Sequence, residues 1–572
     1  MKMKTFSVRK FSRTRKIVPE FVRKSKTAKR IGIIGAGMAG QQLAGEFQRK
    51  RGFRTSVVAF FDEDRSLWES DVAGIPVLGS PDKLLDPLLR WNLRLDEVLL
   101  APDTPSPPNS SSPVLPPSHF FDGTSRTPSP APRGRGGHPA VPYANAFSEF
   151  SPRTVLALMH ILRKADLKAR ILSDDFKLIG RAEAALMRAV ELDDVFPDAR
   201  WVAREDAART VIENRVILVA GADLPVGKEL CRRILCRHPR RLVALESSVA
   251  ELAVLEQELA GLGQAGLLLS RVWDRSDAGQ SNSLIKTLRP DVIFYLPDQC
   301  VTYGDQFAAE YFERNVLPLV YFADAAWKHG TKVFVTCGEE NWIASKRGLM
   351  WRLAQMYLGA LHFGFQKKTA FSSLEWPLVV DLNEDVFAQW KKQIDSGGPL
   401  IEPEGISNLR CVTRRDAAES AIECAGRGEA GRAYAMDGVE EIPVSEVMDR
   451  MQVVYGLPEF EAPRGQKRRG NVGPPWLPAL MGWPTRVEKG LGKDGPVWSK
   501  VSFREDPLPS AGIPEVRQFI QSLIKKAYVL SSEEFKNEIQ RFVSAVEPQK
   551  GRIDHSAARP HANWEGEAPA EP

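Results

Sequence analysis

The sequence predicts an α/β protein with two Rossmann-like, doubly wound parallel-sheet domains, the second carrying a smaller C-terminal mixed lobe. Three observations predict it. Short, near-continuous apolar runs such as Val216-Ile217-Leu218-Val219-Ala220 alternate with helical segments, as expected of strands covered on both faces. The alternation starts twice, at Arg30 and at Arg215, each time as strand, glycine turn and helix. The Pro-rich and charged stretches fall where no strand or helix is needed.

In the first unit, Arg30-Ile31-Gly32-Ile33-Ile34 reads as a short buried strand, followed by a glycine turn and a helix over 38–50. Strands are expected at 55–61, 76–78 and 96–101. Residues 101–148 carry twelve prolines among Ser, Thr and Gly, which suit neither a ladder nor a helix and predict a flexible insertion. A helix at 152–165 and a strand at 169–172 resume the pattern, so the first domain spans 30–180, and a connector covers 181–212. The second domain, 213–548, has a core over about 213–382, with strands at 215–220, 241–246, 266–270, 291–296, 332–337 and 376–382. Helices are expected at 226–237, 248–260, 279–288, 306–329 and 345–362. Shorter mixed elements over 383–548 form a lobe set on that sheet, and 549–572 is a disordered tail.

The chain has 572 residues, 43% of them hydrophobic and 26% charged, which excludes a mainly disordered chain, collagen and a multi-span membrane protein. Its formal charge of +6 is unevenly spread. Residues 1–30 hold twelve Lys or Arg and one acid, Glu20, so the arm carries +11 and the other 542 residues a net −5. An acidic body argues against a nucleic-acid-binding surface. The arm reads either as a solvated tail or as a segment drawn to an anionic membrane surface or acidic partner. None of the six cysteines forms a CxxC pair or has a histidine at zinc spacing, so neither a metal site nor a disulfide framework is expected, and a reduced cytoplasm fits. No apolar run reaches the roughly 18–20 residues needed to span a bilayer, and no apolar core follows the basic start as in a secretory signal.

Gly35-Ala36-Gly37-Met38-Ala39-Gly40 is a GxGxxG between strand and helix. Gly35, Gly37 and Gly40 suit a tight turn, close phosphate approach and helix–strand packing, and Asp62 ends the next strand where a ribose hydroxyl would need an acceptor. Nucleotide binding and a retained structural turn are both open readings of this loop. The second loop, Gly221-Ala222-Asp223-Leu224-Pro225-Val226-Gly227, sits in the same setting, with Glu246 closing the following strand. A carboxylate there favours NAD over NADP because it repels a 2′-phosphate. Leu224 and Pro225, however, add bulk and remove a donor where a pyrophosphate would lie.

These residues, in this order, resemble a known family: the polysaccharide-biosynthesis nucleotide-sugar 4,6-dehydratases and epimerases, which are extended short-chain dehydrogenase/reductases with an extra N-terminal Rossmann domain. The resemblance covers residues 30–548. It rests on Arg30–Gly40 followed by Val57–Asp64 and Gly74–Gly79, on Val190–Val195, and on Gly227-Lys228-Glu229-Leu230-Cys231-Arg232. Further matches are Arg289–Phe294, Asn315-Val316-Leu317, Ser345-Lys346-Arg347 and Gln393–Leu400. It implies an NAD(P)-dependent lyase or isomerase acting on a UDP-N-acetylhexosamine, in a homo-oligomer. Gly221, Ala222, Gly227, Glu246 and Asn315 would face the cofactor.

The sequence also departs from the family. The family's membrane helices, which precede the first Rossmann domain, have no counterpart here. The basic arm stands in their place, so the expected location is cytoplasmic with peripheral membrane contact through residues 1–30. In the TGxxGxxG loop, Ala220 replaces Thr and Leu224 replaces the middle Gly. The adenine-contacting Asp is Arg271, and Leu296-Pro297-Asp298 replaces small residues after the fourth strand. At the catalytic strand end, Ser-Thr-Asp-Lys becomes Cys337-Gly338-Glu339-Glu340, and Met/Tyr-x-x-x-Lys becomes Trp342-Ile343-Ala344-Ser345-Lys346. A 4,6-dehydratase moves hydride from the sugar C4 to the cofactor, eliminates water across C5 and C6, and returns hydride to C6, which needs a base and an acid in position. Lys346 and Glu339 are the candidates left, and no Tyr or Thr is evident to share the C4 proton. Two classes of function follow: an active dehydratase or epimerase, and a relative with a degenerate site that senses nucleotides or scaffolds a glycan pathway. A transcription regulator working through the arm has no DNA-binding motif behind it.

Overall fold

The computed structural model describes residues 29–49, 55–101, 150, 152–173, 184–196, 201, 205–260, 265–297, 308–339, 347–364, 369–380, 386–403, 406–427, 430–439, 441–456, 502–509 and 511–546. The basic arm up to residue 28, the Pro-rich segment from residue 102, Lys346 and the 549–572 tail lie outside the described residues.

The first alternation contains β1 (Lys29–Ile34), α1 (Met38–Arg49), β2 (Thr55–Phe61), the hairpin strands β3 (Asp71–Val72) and β4 (Ile75–Pro76), α2 (Pro87–Leu93), β5 (Glu97–Leu100), α3 (Pro152–Lys164), β6 (Lys168–Leu172) and β7 (Met187–Ala189). Five of its strands form a sheet in the order β2-β1-β5-β6-β7, parallel except for β7. The strand expected at 76–78 is mostly a hairpin arm, touching the sheet through an isolated bridge between Val77 and Phe60.

The second alternation runs α4 (Glu205–Ile212), β8 (Val216–Ala220), α5 (Pro225–Leu235), β9 (Arg241–Glu246), α6 (Val249–Ala260), β10 (Leu268–Val272), α7 (Ala278–Leu288) and β11 (Val292–Tyr295). It continues through α8 (Ala308–Tyr311), a π turn (Phe312–Val316), α9 (Leu317–His329), β12 (Val333–Glu339), α10 (Arg347–Gly364) and β13 (Ala370–Trp376). Then come β14 (Leu378–Val380), α11 (Val386–Asp395), β15 (Asn408–Thr413), α12 (Arg414–Arg427), β16 (Arg432–Asp437), β17 (Glu441–Pro443), α13 (Val444–Tyr455), β18 (Ser502–Pro507), α14 (Ile513–Lys526) and α15 (Ser532–Val546). Eight strands form one sheet in the order β10-β9-β8-β11-β12-β13-β16-β18, parallel except for β18. Strand order reverses between β8 and β11, which puts the ligand crevice of such a sheet at their carboxyl ends.

Three details differ from the sequence reading. The strand expected at 376–382 is two strands: Ala370–Trp376 lies beside β12, and Leu378–Val380 pairs with β15 in a three-stranded sheet, β14-β15-β17. Pro377 separates them, because it has no N–H for a ladder. The helix expected at 306–329 contains the π turn, whose closing bond runs from the Leu317 N–H to the Phe312 carbonyl. Pro318, which lacks a donor, follows it directly. Finally, the segment 383–548, expected as a lobe set on the second sheet, divides its packing. Phe387, Trp390, Cys411 and Val447 share a core with Ile34, Phe61, Leu100 and α3 of the first unit. Val516, Ile520, Phe535 and Ile539 join the core of α9 and α10. Among the described residues no helix is long and apolar enough to cross a membrane.

Candidate functional site

Both glycine loops turn at the carboxyl end of their sheet's first strand. Gly35 has φ +102°, and Gly40 packs so closely that a Cβ there would lie 2.0 Å from the Gly35 carbonyl oxygen. Gly37 immediately precedes α1, its carbonyl accepting from the Gln41 N–H at 2.9 Å. Asp62 is buried and turned into this loop. Its carboxylate accepts from the Ala36 N–H at 2.7 Å and the Asp64 N–H at 2.8 Å. The expected ribose acceptor thus also ties the loop to the end of β2.

The second loop repeats the construction. Gly221 has φ +84°, and its N–H and that of Ala222 donate to the Leu245 carbonyl at 3.1 and 3.3 Å. A Cβ on Gly227 would stand 2.1 Å from the Gly221 carbonyl oxygen, so only glycine lets α5 approach this closely. Leu224 caps α5 without a side-chain acceptor, and Pro225 takes the first helical position. The Leu224 side chain folds back over the turn, its Cδ1 3.1 Å from the Cβ position of Gly221, and packs against the core beneath.

Glu246 ends β9 with 2% of its surface exposed. It accepts from the Ser247 N–H at 2.6 Å, the Ser247 hydroxyl at 2.9 Å and the Arg275 guanidinium at 3.0 Å. Arg275 also lies over the Trp273 ring. Burial works against the charge of Glu246, but a hydrogen bond from Asp223 and the Arg275 cation hold its carboxyl below the ordinary value. Asp223 takes the opposite shift. Burial, with the hydrogen bond to Glu246 and its negative charge, pushes Asp223 up to about 8. The two carboxyls thus shift in opposite directions, Asp223 toward its protonated form and Glu246 toward its charged form. Arg271, read from sequence as following its strand, is the fourth residue of β10 and is exposed.

The catalytic strand end lies two strands from Gly221 across β11, roughly 10 Å by strand spacing. Here the Glu339 carboxylate accepts from the Val379 N–H at 3.1 Å, linking β12 to the first residues past Pro377. Gly338 lies under the indole of Trp351, and a Cβ on it would meet that ring at 3.1–3.2 Å. Trp351 donates to Glu375 Oε1 at 2.7 Å, and the buried Gln355 donates to the same oxygen at 2.9 Å and to the Ser373 hydroxyl at 3.0 Å. Asn315, in the π turn, is buried, and its Oδ1 has no hydrogen-bond partner among the described residues.

The fold therefore gathers Gly221, Ala222, Gly227, Glu246 and Glu339 along one sheet edge, while Gly35, Gly37, Gly40 and Asp62 line the edge of the other. Asp223, Arg275, Trp351 and Glu375 escaped sequence reasoning. Asp223 stood inside the loop already singled out. The other three meet their partners only across strands.

Residues 217–469 match the protein family described as "Polysaccharide biosynthesis protein". The chain is 20% identical over 453 residues to the probable polysaccharide biosynthesis protein EpsC of Bacillus subtilis (strain 168), covering 78% of this chain and 68% of that protein. It is 20% identical over 292 residues to the capsular polysaccharide biosynthesis protein CapD of Staphylococcus aureus, covering 49% of this chain and 48% of that one. Among solved structures, the Bordetella bronchiseptica enzyme WbmF in complex with NADH is 14% identical, with a TM-score of 0.36 over 59% of this chain and 98% of that one. The UDP-glucose 4-epimerase of Thermotoga maritima is also 14% identical, with a TM-score of 0.36 over 45% of this chain and 88% of that one.

Proposed function

We propose that this chain, whose residues 217–469 match the family described as "Polysaccharide biosynthesis protein", is a nucleotide-sugar dehydratase/epimerase-like protein of glycan biosynthesis whose catalytic strand end is degenerate. On this reading Gly221, Ala222, Gly227, Glu246 and Asn315 belong to an NAD(P) site, with NAD favoured by the Glu246 carboxylate, and the sugar ligand is a UDP-sugar. The arm 1–29, the first domain 30–180, the connector 181–212 and the domain 213–548 remain the working division of the chain, and a homo-oligomer its working assembly.

One observation carries the degenerate reading. Gly338 offers no hydroxyl and is covered by Trp351, while the neighbouring Glu339 carboxylate accepts a backbone N–H. A general acid must reach its substrate atom within hydrogen-bond distance, and a misplacement of about 1 Å costs on the order of 10²-fold in rate. A carboxylate that anchors β14 is poorly placed to swing to a sugar hydroxyl.

The test is direct. The purified chain is incubated with NAD and UDP-N-acetylglucosamine and the products are assayed for a 4-keto sugar. No turnover is expected, and Lys346→Ala should change nothing. Turnover that disappears in Lys346→Ala would overturn the proposal in favour of an active dehydratase.

A further inference from the structure

We propose that Trp351 ends the nucleotide site short of the catalytic strand, so that the site takes a nucleoside 5′-diphosphate and draws no affinity from the second nucleoside of a dinucleotide. This rests on the nucleotide-binding reading above and specifies how far along the sheet edge the ligand extends.

The argument starts from the sheet. A dinucleotide laid across a doubly wound sheet sets one ribose at the end of β9, its pyrophosphate at the turn after β8 and its second nucleoside over the ends of β11 and β12. The first two stations keep their elements here: the Glu246 carboxylate at the end of β9, and the turn from Gly221 to Gly227. At the third, a side chain of the protein covers Gly338 near the end of β12. The Trp351 indole rests on Gly338, within 3.1–3.2 Å of the Cβ position at that residue. It is also held in place. Its N–H donates to Glu375, and Glu375 is gripped by Gln355, which is 1% exposed and bonded to Ser373. Swinging the ring away would break its bond to Glu375 and its contact with Gly338. Neither Gly338 nor the engaged Glu339 supplies a free hydroxyl or carboxylate for the second ribose.

Titration calorimetry on the full chain with ADP and NAD tests this. Expected are dissociation constants for the two ligands within roughly threefold of each other. In Trp351→Ala, NAD should tighten by at least about tenfold while ADP holds its wild-type value, and Trp351→Phe, which keeps a ring over Gly338, should behave as wild type. Thermal melts of each variant confirm folding, and the wild-type ratio needs no variant at all. NAD already about tenfold tighter than ADP on the wild-type chain would overturn the proposal. So would an unchanged ratio in a folded Trp351→Ala, or no binding of either nucleotide. If NAD binds tightly but no 4-keto sugar forms, this proposal falls while the degenerate reading stands. Formation of the 4-keto sugar defeats that reading directly.

Discussion

Asp223 puts a carboxylic acid inside a turn whose shape suits phosphate, and burial beside the Glu246 carboxylate favours its protonated form. Its pKa rises from an ordinary value near 4 to about 8 in the folded chain. Between those values the unfolded chain has released this proton and the folded chain still holds it. Stability from this group therefore falls as pH rises from about 4 to about 8 and levels off above that. Asp223→Asn should lose that slope. Melting temperatures measured from about pH 5 to pH 8 should fall less steeply for the variant than for the wild type, and identical slopes would refute the assignment. Glu246 was legible from sequence because an acid at a strand end is a local feature. Its engagement by Asp223 and Arg275 was not, since these residues come from three separate strand ends.

The helix pair α9 and α10 illustrates the same division at the scale of elements. Their apolar faces are plain in the sequence, but what covers them is not. The chain itself supplies the cover. Val516, Ile520, Leu523, Phe535 and Ile539 of α14 and α15 enter the same core, and the Phe535 ring meets Phe312 edge-on at 5.6 Å. Arg517 adds a polar tie, donating to Asp324 at 2.6 Å beside the Tyr357 hydroxyl, which donates to the same carboxylate at 2.7 Å. Phe535 is fully buried, so Phe535→Ala should cost about 3–5 kcal/mol. A clear drop in the denaturant midpoint checks this, and an unchanged midpoint would mean that the C-terminal helices do not contribute to this core. The split of the expected 376–382 strand at Pro377 belongs here too. The proline was visible in the sequence, but which side of it would join the main sheet depended on partners in β12 and β15.

For the molecule as a whole, charge sets the largest-scale expectation. Residues 1–30 carry +11 and run into β1, whose first two residues are Lys29 and Arg30, while the other 542 residues carry −5. Deleting residues 1–28 should weaken sedimentation with anionic vesicles, and raising salt from about 0.15 to 0.5 M should weaken it for the intact chain, because screening shortens the reach of exposed charge. Equal vesicle binding with and without the arm would defeat that expectation. The sequence by itself determined the two strand–turn–helix starts, both glycine loops and the parallel α/β class. Each depends on short-range rules: side-chain period, the positive φ at Gly35 and Gly221, and the absence of a Cβ at Gly40 and Gly227. Only the tertiary structure decided that Glu339 would anchor Val379, that Trp351 would cover Gly338, and that the C-terminal segment would divide between two cores. Those outcomes turn on which surfaces meet in space, and burial and hydrogen-bond satisfaction are settled by neighbours tens to hundreds of residues away along the chain.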